Sequence, residues 1–184
     1  MTETRRVIIT GGPGTGKSTL IDLLQKRNFP CHSEVSRAVI KRQLELGSRL
    51  LPWDDLTAFS HLVFSGQLEQ YKNAVAGEWN FYDRGMPDVL AYLRKMNIYE
   101  QSLEEGVKAY PYHPCVFLTP PWPEIYSVDN ERRENLKEME AIHENLVQVY
   151  TDLNYEVVEM PRIDPEERIH LILHKLGILE EQNS

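Results

Sequence analysis

Eight residues, Gly11-Gly12-Pro13-Gly14-Thr15-Gly16-Lys17-Ser18, fit the pattern Gly-x-x-x-x-Gly-Lys-Ser/Thr of a Walker A loop and follow the apolar run Val7-Ile8-Ile9-Thr10. The chemistry of such a loop is anion capture. Glycines let backbone N–H groups turn inward and approach phosphate oxygens closely. The residues that follow, Lys17 to Arg27 with Leu20, Ile21, Leu23 and Leu24 as the apolar set, read as a helix, so the anion meets a helix N-terminus. Lys17 is expected at the β- and γ-phosphates and the Ser18 hydroxyl on Mg²⁺. Gly12, Pro13, Gly14, Thr15, Gly16, Lys17, Ser18 and Thr19 make the candidate nucleotide-binding set, for ATP or GTP.

Two further stretches carry reactive groups. Ser33-Glu34 is followed at i+3 by Arg37, which places the arginine on the same helix face as the acid. Glu34 suits a general base for an acceptor hydroxyl or an anchor for Mg²⁺-bound water, although an acid in a helix's first turn also has an ordinary capping explanation. Asn80-Phe81-Tyr82-Asp83-Arg84-Gly85 ends an apolar run in an acid, where a Walker B carboxylate that holds the metal belongs. Arg84 beside it can clamp a phosphoryl group as charge develops.

The elements that must position these groups alternate along the chain. Strands are expected at Arg6–Thr10, Phe29–Ser33, Trp79–Asp83, Cys115–Thr119 and Tyr155–Met160. Helices are expected at Lys17–Arg27, Glu34–Leu46, from Pro52-Trp53 to about Val75, Met86–Asn97, Glu131–Asp152 and Pro165–Leu176. Strands separated by helices imply an α/β fold with a parallel, doubly wound sheet, whose ligand lies across the carboxyl ends of the strands.

The 184 residues, 41% hydrophobic, suit a single domain over 1–184. With 28 acidic against 20 basic residues the formal charge is −8, which argues against a nucleic-acid polymer as partner. Cys31 and Cys115 show neither disulfide nor zinc spacing, and no apolar run approaches the length of a membrane span, so a cytoplasmic protein is expected.

The Walker loop, the Glu34-Val35-Ser36-Arg37 turn, and Asp83-Arg84-Gly85-Met86-Pro87-Asp88 followed by Ala91-Tyr92-Leu93 resemble the AAA-domain family of small ATPases. That family is similar to the ribosylnicotinamide kinase domain of NAD-biosynthesis regulators and, more distantly, to deoxynucleoside and thymidylate kinases. The resemblance spans Arg6 to about Gly177. It implies a P-loop NTPase with strand order 2-3-1-4-5, helices on both faces, a helical lid at about 122–136, and ATP-dependent phosphoryl transfer. It also implies that a lid arginine, Arg132 or Arg133, reaches the transferring group, and that Arg162 after the last strand stacks on the base. By the same resemblance Glu34 is the base and Asp83 the metal ligand, with the exchange of roles left open.

Three functions fit: a kinase for a small hydroxyl-bearing metabolite, a regulatory NTPase using water, or a nucleotide-gated interaction module. The insert from Leu46 to Val75 favours the kinase, because an aromatic-rich helix beside the phosphate site suits an acceptor pocket. The acceptor, a nucleoside-like molecule, is expected between the helices from Glu34 and Trp53. Glu34, Arg37 and Arg84 form its polar wall, Phe59 and Phe64 its flat surfaces, and Gln67 or Gln70 pairs with a base edge.

Overall fold

The computed structural model describes residues 3–122 and 136–179. Five strands, β1 (Arg5–Gly11), β2 (Cys31–His32), β3 (Trp79–Asp83), β4 (Cys115–Thr119) and β5 (Glu156–Glu159), form one sheet in the order β2-β3-β1-β4-β5. Every pairing is parallel, with Ile9 opposite Asp83 on one side and Phe117 on the other. The helices are α1 (Lys17–Lys26), α2 (Val35–Glu45), α3 (Leu56–Lys72), α4 (Met86–Lys95), α5 (Gln101–Ala109), α6 (Leu136–Asp152) and α7 (Pro165–Lys175). Among the described residues no helix is long and apolar enough to cross a membrane.

Successive side chains of a strand face opposite sides of a sheet, and both faces here are covered, so the inner strands are apolar throughout. Val7, Ile9, Phe81 and Phe117 point to α1 and α7, where they meet Leu20, Leu24, Ile169 and Ile172. Ile8, Tyr82, Val116 and Leu118 point the other way, to Phe59, Leu90, Leu146 and Tyr150. Burying each such side chain stabilises the fold by about 1.5–3 kcal/mol.

The expected order of strands holds, with two departures in the helices and one in the last strand. The helix expected from Pro52-Trp53 begins at Leu56, because the Asp55 carboxylate accepts from the Ala58 N–H at 2.9 Å and caps it there. Helix α5 was not anticipated: only Leu103 and Val107 of its nine residues are buried, too sparse a stripe for its short span. The stretch read as a fifth strand from Tyr155 to Met160 pairs only over Glu156–Glu159. The lid segment lies, apart from Trp122 and Leu136 at its margins, outside the described residues, as do Arg132 and Arg133.

Two close approaches fix the carboxyl edge of the sheet. At Gly11, with φ +143°, a Cβ would stand 2.4 Å from the Thr119 carbonyl oxygen, so only glycine lets β1 leave the sheet beside β4. At Gly85 a Cβ would stand 2.3 Å from Ile8 Cδ1 and 2.9 Å from its Cγ1. Gly85→Ala is therefore expected to cost about 1–3 kcal/mol by overpacking. Ile8→Ala removes both opposing carbons, so in that background the same substitution should cost much less. Urea denaturation of the four proteins measures this; equal penalties in both backgrounds would contradict the steric account.

Candidate functional site

The end of β1 delivers the chain into the phosphate loop. Gly14 and Gly16 take left-handed backbone angles, φ +71° and +91°, and Gly16 precedes α1 with no side chain capping it. Gly16 thus offers the first N–H groups of α1 no side-chain acceptor, and the helix has no acid in its first turn. Thr15 Oγ1 donates to the Gly12 carbonyl at 2.9 Å and meets Thr119 Oγ1 at 2.7 Å, while Thr119 Oγ1 donates to the Thr10 carbonyl at 3.0 Å. These bonds tie the loop to β4. On the other side, Arg168 of α7 donates through Nε to the Pro161 carbonyl at 2.7 Å and through Nη1 to the Thr15 carbonyl at 3.3 Å. Its guanidinium lies 4.6 Å from the Trp122 ring centre.

Lys17 is buried, and its Nζ donates to the Gly12 carbonyl at 2.6 Å, inside the loop. Burial first, then Arg84, lowers its ammonium to about 8 against the opposing pull of Asp83 and Glu34. Ser18 and Thr19 are exposed on the first turn of α1.

Asp83 closes β3 opposite Ile9, buried, with Oδ2 accepting from Ser18 Oγ at 3.3 Å. Among the described residues its Oδ1 is buried without a hydrogen-bond partner. An orphaned carboxylate oxygen beside a hydroxyl fits a hard divalent cation, for which oxygen ligands are preferred. Burial raises the Asp83 pKa, and Lys17 and Arg84 oppose that rise while Glu34 adds to it.

Glu34 immediately precedes α2 and does not cap it. Its Oε1 accepts from Ser36 Oγ at 2.6 Å and from Arg84 Nε at 3.1 Å. Burial works to raise its pKa, but Arg84, Lys17 and the Ser36 hydroxyl outweigh it and hold the carboxyl at about 2. Glu34 is ionised at neutral pH.

Arg84 is the least ordinary residue here. Its φ is +70°, a conformation costing roughly 1–2 kcal/mol for a residue with a Cβ. Its N–H donates to the Ile9 carbonyl at 3.0 Å, and its side chain runs from Glu34 to Asp88, where Nη1 lies 3.3 Å from Oδ1. Burial disfavours its charge, but Tyr92, Glu34 and Asp88 together hold it cationic.

Lys17, Ser18, Glu34, Asp83 and Arg84 therefore come together at one edge of the sheet. The other candidates are placed differently. Arg37 is largely exposed, 3.8 Å from Glu34, and Arg162 is exposed in the turn before α7. Phe59 is buried in the core between the sheet and α3, and the Phe64 ring lies against Gly106 of α5. Gln67 is buried with Oε1 unpartnered, and Gln70 Nε2 donates to the Ser33 carbonyl at 2.9 Å. Sequence reasoning gave no role to Thr10, Asp88, Tyr150 or Arg168. Of these, only Asp88 had a legible signal, its i+4 spacing from Arg84.

A family profile described as AAA domain matches residues 6–168. The chain belongs to the AAA domain family. Among curated proteins no sequence matches it. Solved structures with the same fold include the NadR protein in complex with NR, at TM-score 0.72 and 16% identity over 98% of this chain. The chain spans about half, 53%, of that NadR chain. Deoxyadenosine kinase from M. mycoides, with products dCMP and dCDP bound, aligns at TM-score 0.65 and 16% identity, over 95% of this chain and 100% of its own. Shikimate kinase from Aquifex aeolicus aligns at 0.54 and 18% identity, over 94% and 96%. This AAA domain chain thus has the architecture of P-loop kinases.

The lowered Lys17 pKa has a measurable consequence. Phosphates favour the ammonium form, so a bound nucleotide raises the pKa, and the contact contributes fully below the free value of about 8 and is lost progressively as the pH rises from there through the bound pKa. Nucleotide affinity should hold below that pH and fall by up to about tenfold per unit above it. Calorimetric titration with nucleotide on either side of that pH reads the effect. Equal affinities would mean that Lys17 does not meet the phosphates.

Proposed function

We propose that this protein transfers the γ-phosphoryl group of a nucleoside triphosphate to a hydroxyl of a small, uncharged, nucleoside-like metabolite. The observation that carries the reading is the ionised Glu34 carboxylate, held by Arg84 at the same strand edge as Lys17, Ser18 and Asp83.

The phosphate loop, Lys17 and the N-terminus of α1 suit the triphosphate. Ser18 and Asp83 are the residues suited to hold Mg²⁺, which when bound neutralises charge on the phosphate oxygens. Glu34 is a weak base, so it suits a hydroxyl whose proton loosens only as the new O–P bond forms; before that it orients the nucleophile. Arg84 offers a fixed cation beside the path of the transferring group.

Charge favours an uncharged acceptor. Arg84 is already compensated by Glu34 and Asp88, and the remaining arginine beside Glu34, Arg37, is largely exposed. A phosphate monoester entering beside Glu34 would meet its fixed negative charge, whereas a neutral hydroxyl meets a ready acceptor. The unpartnered Gln67 Oε1 and the neighbouring Gln70 supply amides of the kind that pair with a base edge. The fold itself is shared by enzymes named for nucleosides and for shikimate, so acceptor choice rests on these side chains.

The test is nucleotide turnover across a panel of nucleosides, ribosyl compounds including ribosylnicotinamide, and their monophosphates, with products identified by mass spectrometry. An uncharged acceptor should accelerate ADP release many-fold over slow hydrolysis and appear phosphorylated. Glu34→Gln should lower kcat by about 10²–10⁴-fold at unchanged Mg²⁺ requirement. Asp83→Asn should instead raise the Mg²⁺ concentration needed for half-maximal rate. Constant hydrolysis across the panel with no phosphorylated product would favour water as the acceptor.

A further inference from the structure

Asp88 lies in the first turn of α4, almost fully buried. A carboxylate there commonly accepts from the first backbone N–H of its helix, and Asp88 Oδ2 does so from Gly85 N at 3.1 Å. Capping accounts for one of its four contacts. Oδ1 also accepts from Thr10 Oγ1 at 2.5 Å, near the end of β1, and faces Arg84 Nη1 at 3.3 Å. Oδ2 also accepts from Tyr150 OH at 2.5 Å, on α6. One carboxylate therefore joins β1, the β3–α4 turn, the arginine and a helix 62 residues distant.

Arg84 needs such a holder. Its backbone adopts φ +70°, which side-chain-bearing residues keep only where surrounding contacts over-determine it. The contacts that do so are the Ile9 carbonyl on the main chain, Glu34 at Nε and Asp88 at Nη1. Glu34 sits at the entrance of α2 and is the group proposed to engage the acceptor. Asp88 is the one on the buried side, and its remaining lone pairs are filled by Thr10 and Tyr150, neither of which belongs to the reacting set. Tyr150 is itself immovable within the core, fully buried and edge-on to Tyr155 with ring centres 5.5 Å apart.

We propose that Asp88 is a positioning residue for phosphoryl transfer: it fixes the Arg84 guanidinium against Glu34, and through Tyr150 it makes the arginine's place depend on how α6 packs on α4. The inference rests on the phosphoryl-transfer reading above. Asp88 touches neither nucleotide nor acceptor; it acts through Arg84.

The experiment is a double-mutant cycle on turnover with Asp88→Asn, Arg84→Gln and the pair, and a parallel cycle with Tyr150→Phe, which removes one hydroxyl and keeps the ring in the core. Wild-type turnover is measured first, and Mg-nucleotide Kd and thermal stability are measured for every variant. Asp88→Asn should lower kcat by roughly 10²-fold and Tyr150→Phe by several-fold, with Mg-nucleotide Kd unchanged within a factor of about two. In the Arg84→Gln background both substitutions should have almost no further effect on kcat. If Asp88→Asn does not fold, the Tyr150→Phe cycle reads the same coupling. Multiplicative losses, with Asp88 or Tyr150 lowering kcat equally whether or not Arg84 is present, would overturn the positioning role while leaving the kinase reading intact. A wild-type protein that turns over nucleotide neither with any acceptor nor with water would overturn that reading, and this one with it.

Discussion

Five ionisable side chains, Lys17, Glu34, Asp83, Arg84 and Asp88, are withdrawn from water at one edge of the sheet, and each must be compensated by the others. A buried charge without a partner costs several kcal/mol, so this mutual neutralisation limits what each residue can become. It also explains why the pKa values of Glu34 and Asp83 move apart. Glu34, facing Arg84 and Lys17, is pulled down to about 2, whereas Asp83, with one oxygen unpartnered, is raised by its burial. Two carboxylates thus acquire different aptitudes, which the proposed function assigns to the acceptor side for Glu34 and to a cation for Asp83.

The strand order makes this grouping possible. With β1 central, the phosphate loop leaves the sheet between β3 and β4, so Asp83 stands opposite Ile9 and Thr119 reaches Thr15. β2 lies beyond β3, which brings Glu34 to the far side of Arg84. Ligands of open α/β sheets gather where neighbouring connections diverge to opposite faces, and here the loop after β1 leads to α1 on one face while the turn after β3 leads to α4 on the other.

Much of this was legible in the sequence because it is local. The loop pattern, the acid ending β3 and the apolar strands each declare themselves within a few residues, and the resemblance supplied the strand order. What stayed hidden is what depends on contact across the fold. Tyr150 is an apolar position on α6 until its hydroxyl is seen on Asp88, and Arg168 is one charged residue among many on α7 until its guanidinium is found beneath Thr15. Helix α5 escaped notice because two buried residues in nine give too little periodicity. Trp53 drew the start of α3 too early because aromatic content outweighed the weaker signal of a capping aspartate two residues on.

Arg168 bears on the history of each molecule as it is made. The carbonyl of Thr15, in the first tenth of the chain, receives its bond from a side chain synthesised 153 residues later. A chain lacking α7 would lack the Arg168 bond to the Thr15 carbonyl on that flank of the loop. The backbone of the loop at Thr15 is therefore held on that flank only once α7 has docked, however early the loop itself is made.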